Sequence, residues 1–100
     1  MRLTPAELQA LRLAVGEVQW EHAWLFGSRT DDARRGGDID LLLHTREPAF
    51  AVAHRVASRF AAEADARLDV LAIDPDRMTE EQRHFLATLT LEPLDDLLRS

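Results

Sequence analysis

Ala23-Trp24-Leu25-Phe26-Gly27-Ser28 runs from an apolar segment into a Gly-Ser, and Asp38-Ile39-Asp40-Leu41-Leu42-Leu43 runs from an Asp-x-Asp into a second apolar segment. Each apolar segment reads as a buried strand, so a Gly-Ser ends one strand and two aspartates begin the next. Side chains alternate along a strand. Asp38 and Asp40 therefore share one face, while Ile39 and Leu41 point into the core. Two ionised carboxylates on one face repel unless a cation neutralises them. Carboxylate oxygens are preferred ligands of Mg²⁺, which keeps several waters and also binds substrate phosphates. Gly27 lets the backbone approach a ligand closely, with positive φ if needed. Ser28 is placed to cap a short helix beginning near Arg29, and free N–H groups at a helix start attract phosphate. The pattern suits a site that holds a nucleoside triphosphate on divalent metal ions.

The stretch resembles the signature of the nucleotidyltransferase superfamily that includes DNA polymerase beta. More narrowly, it is similar to the minimal nucleotidyltransferases (MNT), which are small single-domain proteins. In that family a Gly-Ser follows a strand, a short loop intervenes, and Asp-x-Asp opens the next strand. A third carboxylate follows on a later strand. The Gly-Ser corresponds to Gly27 and Ser28, and the aspartate pair to Asp38 and Asp40. The resemblance makes Asp69, in Arg67-Leu68-Asp69-Val70-Leu71-Ala72-Ile73, the third carboxylate. A plain reading stands beside it, since a single Asp at a strand start often only faces water. The chain departs from the family where Thr30, Asp31 and Asp32 replace the common Ala-Arg-Gly. Two acidic groups near a triphosphate weaken its binding unless they face away, and Arg34 and Arg35 can offset them. Arg29 has two readings. Its guanidinium fork can hold a phosphate, or it can pair with Asp31 or Asp32.

Moving outward, the 100 residues allow one domain with a modest core, expected over residues 1–100. Apolar residues make up 46%, which indicates a globular chain rather than a disordered one. No run is long enough to span a membrane, and no basic-then-apolar leader opens the chain, so a cytoplasmic protein is expected. Cysteine is absent, which excludes a disulfide framework and a thiolate metal site. The formal net charge of -6 argues against a long nucleic-acid template channel. Lysine is absent, so there is no Walker-type phosphate loop. Tyrosine is also absent, so a modified tyrosine would belong to another molecule.

The remaining pattern predicts helices alternating with strands around a small sheet. Thr4-Pro5-Ala6-Glu7 starts a helix with a capping box and Pro in its first turn. Leu8, Leu11, Val15 and Val18 carry it to about residue 19. Residues 22–26, 38–44 and 68–73 read as strands. Residues 28–33 suit one helical turn, and 34–37 a loop. Pro48 opens a second helix to about residue 65, with Phe50, Ala53, Val56, Ala57 and Phe60 on one face. Asp74-Pro75-Asp76 is a turn. Thr79 with Gln82 caps a third helix to about residue 88. Residues 90–94 read as a short edge strand or irregular chain, and 95–100 as a polar tail with helical character. His44 reads as a surface or core-edge residue rather than a ligand, His54 and His84 as surface residues. Trp20 and Trp24 read as core or interface residues. The fold class expected is α/β (α+β), and the resemblance narrows it to the nucleotidyltransferase fold, a small mixed sheet with helices on one side.

The resemblance implies a reaction. Two Mg²⁺ ions held by Asp38, Asp40 and Asp69 would activate an acceptor hydroxyl and stabilise leaving pyrophosphate. AMP would pass from ATP to the acceptor, with Asp69 also a candidate general base. Many minimal nucleotidyltransferases are antitoxins of helical HEPN ribonuclease toxins, and some add AMP to a toxin tyrosine. A HEPN-type toxin is therefore the expected partner, and a homo-oligomer is compatible with the chain. Two alternatives remain open. One is a non-catalytic module that masks a toxin, and the other is transfer to a small-molecule hydroxyl.

Overall fold

Thr4 begins the first helix. Its hydroxyl accepts from the Glu7 N–H at 3.1 Å, and the Glu7 carboxylate accepts from the Thr4 N–H at 2.9 Å. This capping box satisfies donors that the first turn leaves open. The computed structural model describes residues 1–31 and 37–100, with Ser28 described by its backbone. In chain order the elements are α1 (Pro5–Val15), β1 (His22–Phe26), a 3₁₀ turn (Gly27–Thr30), β2 (Ile39–His44), α2 (Ala49–Glu63), β3 (Leu68–Ile73), α3 (Glu80–Ala87), β4 (Glu92–Pro93) and α4 (Asp95–Arg99). α3 repeats the capping device of α1, with Thr79 and Gln82 bonding reciprocally at 2.9 and 3.1 Å.

The strands form one sheet in the order β3-β2-β1-β4. β1 runs antiparallel to β2 and β4, and β2 runs parallel to β3. Parallel neighbours need a long crossover, and α2 supplies it. β4 is short and carries Pro93 at the sheet edge, where a missing N–H is tolerated. Alternation puts Ile39, Leu41 and Leu43 of β2 on the core face, all fully buried. Ala23 and Leu25 join them from β1, and Leu68 and Ala72 from β3. Leu11 and Val15 of α1, Val52, Val56 and Phe60 of α2, and Leu98 of α4 complete one cluster. The architecture is a small mixed sheet with helices packed on one side, consistent with a nucleotidyltransferase fold. α3 buries none of its side chains. Among the described residues, no helix is long and apolar enough to cross a membrane.

Three local expectations change. α1 ends at Val15 rather than near residue 19. Gly16, a poor helix former, still bonds to the Arg12 carbonyl, but Glu17 and Val18 reach back only three residues, to Ala14 and Val15. β2 begins at Ile39, which leaves Asp38 just ahead of the strand. On α2 the buried side chains are Val52, Val56 and Phe60, while Phe50 is 86% exposed. At about 100° per residue, Phe50 falls some 120° from the middle of that buried arc.

Candidate active site

The centre of the site is Asp40, the second residue of β2. In register, Asp40 pairs with Phe26 of β1 on one side and with Asp69 of β3 on the other. Neighbouring strands lie about 4.8 Å apart, so Asp40 and Asp69 present carboxylates side by side on one sheet face. That face is opposite the core, because Leu41 and Leu68 point inward. Asp38 stands one residue ahead of β2, with the Arg67 Nε 4.0 Å from its Oδ2. Asp40 is half-buried, whereas Asp38 and Asp69 are exposed. Burial first, then the charges of Asp69 and Asp38, pushes the Asp40 carboxyl above the usual carboxylate range. All of the sequence-predicted aspartates are thus brought within electrostatic reach of one another.

Gly27 adjoins this group directly. It begins the 3₁₀ turn at φ 76°, a conformation that L side chains rarely adopt. A Cβ placed there would overlap Asp40 Oδ2 and lie 3.2 Å from Asp40 Cγ. The turn is closed by Thr30, whose hydroxyl donates to the Gly27 carbonyl at 2.7 Å. The backbone of the Gly-Ser turn and the inner carboxylate therefore touch. The Ser28 side chain, with Asp32, Arg34 and Arg35, lies outside the described residues, as does most of the expected loop at 34–37.

Arg29 turns toward the start of α1, and its reading as a partner of Asp32 lies outside the described residues. Its guanidinium is buried and bonds bidentately to Glu7, at 2.8 Å to Oε1 and 2.9 Å to Oε2. Its Nη1 also donates to the Arg2 carbonyl at 2.9 Å, and its Nε to the Gly37 carbonyl at 3.0 Å. The fork expected for phosphate thus reaches a carboxylate and two carbonyls. The Arg29 hydrogen bonds, with the capping bond from Thr4, hold the Glu7 carboxyl below its ordinary range against the opposing effect of burial. Capping explained Glu7 in the sequence; its partner 22 positions away left no local signal.

A hard, all-oxygen donor set suits Mg²⁺ in kind, and the mutual repulsion felt by Asp40 is what a bound cation would relieve. Among the described residues, no three acidic or histidine side chains form a ready-made metal cage. Mg²⁺ ordinarily takes one or two carboxylates, water and substrate phosphates rather than such a cage.

The strand ends away from Asp40 carry a second polar group. His22 and His44 pair across β1 and β2. Trp24 meets the His44 ring edge-on at 4.6 Å between centroids. His22 Nδ1 lies 2.7 Å from Asp95 Oδ2, and Asp95 Oδ1 accepts from the Ala23 N–H at 2.7 Å. Burial, then the charge of His22, lowers the His44 pKa. His54 and His84 are exposed, as expected. Trp20 packs against the core with the Arg99 guanidinium 4.0 Å above its ring. No protein-family model and no curated protein matches this chain.

Proposed function

We propose that this chain is a metal-dependent nucleotidyltransferase built on Asp38, Asp40, Asp69 and the Gly27–Ser28 turn. The observation that carries the reading is the pairing of Asp40 with Asp69 in strand register, with the Gly27 backbone against Asp40. A solvated strand end accounts for neither feature. Gly27, lacking a side chain, lets the turn pack against the inner carboxylate, and backbone N–H groups of such a turn would be the donors to phosphate oxygens. Asp38 and Asp69 are exposed and so within reach of a triphosphate from solvent. Mg²⁺, when bound, would offset the charge of the aspartates and the triphosphate and lower the pKa of an acceptor hydroxyl. Orientation and charge neutralisation would supply most of the rate in such a transfer.

The donor in this reading is ATP and the transferred group AMP. The acceptor in this reading is a tyrosine hydroxyl of a partner protein, since the chain itself lacks tyrosine. A protein acceptor with a basic surface suits the net charge of -6. The resemblance to minimal nucleotidyltransferases makes a HEPN-type ribonuclease toxin the leading candidate. A second reading, masking of that toxin without chemistry, is favoured by Arg29, whose fork is given to Glu7 rather than left for phosphate.

Titration calorimetry of ATP with Mg²⁺ tests the proposal, on wild type and on Asp38→Ala/Asp40→Ala. Metal-dependent binding that the variant loses supports the nucleotidyltransferase. A folded wild type that binds no ATP favours masking. Neutralisation of the toxin by the same variant, with the complex intact, would also decide for masking.

A further inference from the structure

Glu7 serves two structures at once. Its Oε1 accepts the capping N–H of Thr4 at 2.9 Å, and both of its oxygens accept from Arg29. The two side chains are only 12% and 10% exposed. A buried ion pair is a weak source of stability, because desolvation offsets much of the attraction. Its stronger effect is geometric, since a bidentate guanidinium–carboxylate pair accepts one relative orientation.

The geometry it fixes lies at the site. Arg29 is two residues past Gly27, and Gly37 is one residue before Asp38. The Arg29 Nε bond to the Gly37 carbonyl, at 3.0 Å, therefore ties the end of the Gly-Ser turn to the start of the Asp-x-Asp. The Arg2 backbone grips the same residue from the other side. Its N–H donates to the Arg29 carbonyl at 2.8 Å, and its carbonyl accepts from Arg29 Nη1 at 2.9 Å. Arg29 is thus a clasp across the loop, and the α1 carboxylate holds the clasp shut.

We propose that Glu7 and Arg29 are positioning residues, which hold the Gly27 turn and Asp38–Asp40 in the mutual register that nucleotide binding needs. The nucleotide part rests on the nucleotidyltransferase reading; the local ordering does not. Arg29 acts through the backbone at Gly37 and through its own turn, not by touching phosphate.

Glu7→Gln keeps an oxygen for the Thr4 cap and removes the charge. Glu7→Asp keeps the charge on a shorter side chain. Val56→Ala, in the core of α2, serves as a control that lowers stability away from the site. Amide hydrogen exchange is read at Gly27, Gly37 and Ile39, with Leu42 as the core reference. Mn²⁺·ATP affinity is read by calorimetry. In Glu7→Gln, exchange at the three site amides should rise more than at Leu42. Nucleotide affinity should fall about 10- to 100-fold, the range for partners that orient metal ligands. Glu7→Asp should recover part of both, and Val56→Ala should change neither selectively. Equal change at the site amides and at Leu42, or an affinity loss matched by Val56→Ala, overturns the proposal. If Glu7→Gln does not fold, the same comparison is made on Glu7→Asp. If wild type binds no Mn²⁺·ATP, the nucleotidyltransferase reading falls, and the exchange pattern alone decides the clasp.

Discussion

Gly27 lies so close to Asp40 that a methyl group on its Cα would run into the Asp40 carboxylate. The first residue of the Gly-Ser turn and the inner aspartate are therefore one packed unit. Glycine is required twice there, for its φ of 76° and for its lack of a side chain.

Gly27→Ala should destabilise the protein by about 1–2 kcal/mol through the left-handed backbone alone, with a further cost from displacing Asp40. In an Asp40→Ala background the second part disappears. Denaturant unfolding of the double-mutant cycle should give a coupling on the order of 0.5–3 kcal/mol. Equal costs in both backgrounds would show that the two residues do not touch.

Asp40 makes a pH-dependent prediction of unusual sign. Its folded pKa is raised, by burial first and then by Asp69 and Asp38. The native state therefore holds the proton more tightly than the unfolded chain. Stability falls as pH rises from the ordinary carboxylate value through the raised one. Without metal, Asp40→Asn should melt above wild type at neutral pH, and the advantage should fade on acidification. Mg²⁺ or Mn²⁺ should raise the wild-type melting temperature and leave the variant unmoved.

Asp95 should behave in the opposite way. Although burial opposes it, hydrogen bonds from His22 and the Ala23 N–H hold its carboxyl below the usual range. Its contribution is present above the unfolded value and lost as pH falls through the lowered folded one. Asp95→Ala should cost about 1.5–3 kcal/mol at neutral pH, the worth of hydrogen bonds to a charged group. Chemical unfolding across an acid series should show wild type and variant converging.

Much of this architecture was legible in the sequence because its signals are local. Thr4 with Glu7 and Thr79 with Gln82 marked helix starts within four residues. Alternation around Ile39 and Leu41 placed Asp38 and Asp40 off the core. What stayed hidden depends on distant partners. Nothing near Arg29 announced Glu7, and nothing near His22 announced Asp95, 73 positions away. Phe50 was misplaced because an aromatic near the start of an apolar helix looks like core, whereas the helix rotation is set by Val52, Val56 and Phe60.

That rotation can be tested directly. Phe60 is 1% exposed, and Phe60→Ala should cost about 3–5 kcal/mol. Phe50→Ala should change stability by less than about 0.5 kcal/mol. Comparable losses for the two in urea unfolding would place Phe50 in the core after all.

The most direct test of the central claim is where a divalent ion goes when ATP is present. Sub-stoichiometric Mn²⁺ with ATP should broaden the amide resonances of Gly27, Asp40 and Asp69 before any others. Asp38→Ala/Asp40→Ala should abolish the effect. Broadening centred elsewhere, such as on His22 and His44, or broadening that ignores ATP and survives in the variant, would contradict a nucleotide site at these aspartates.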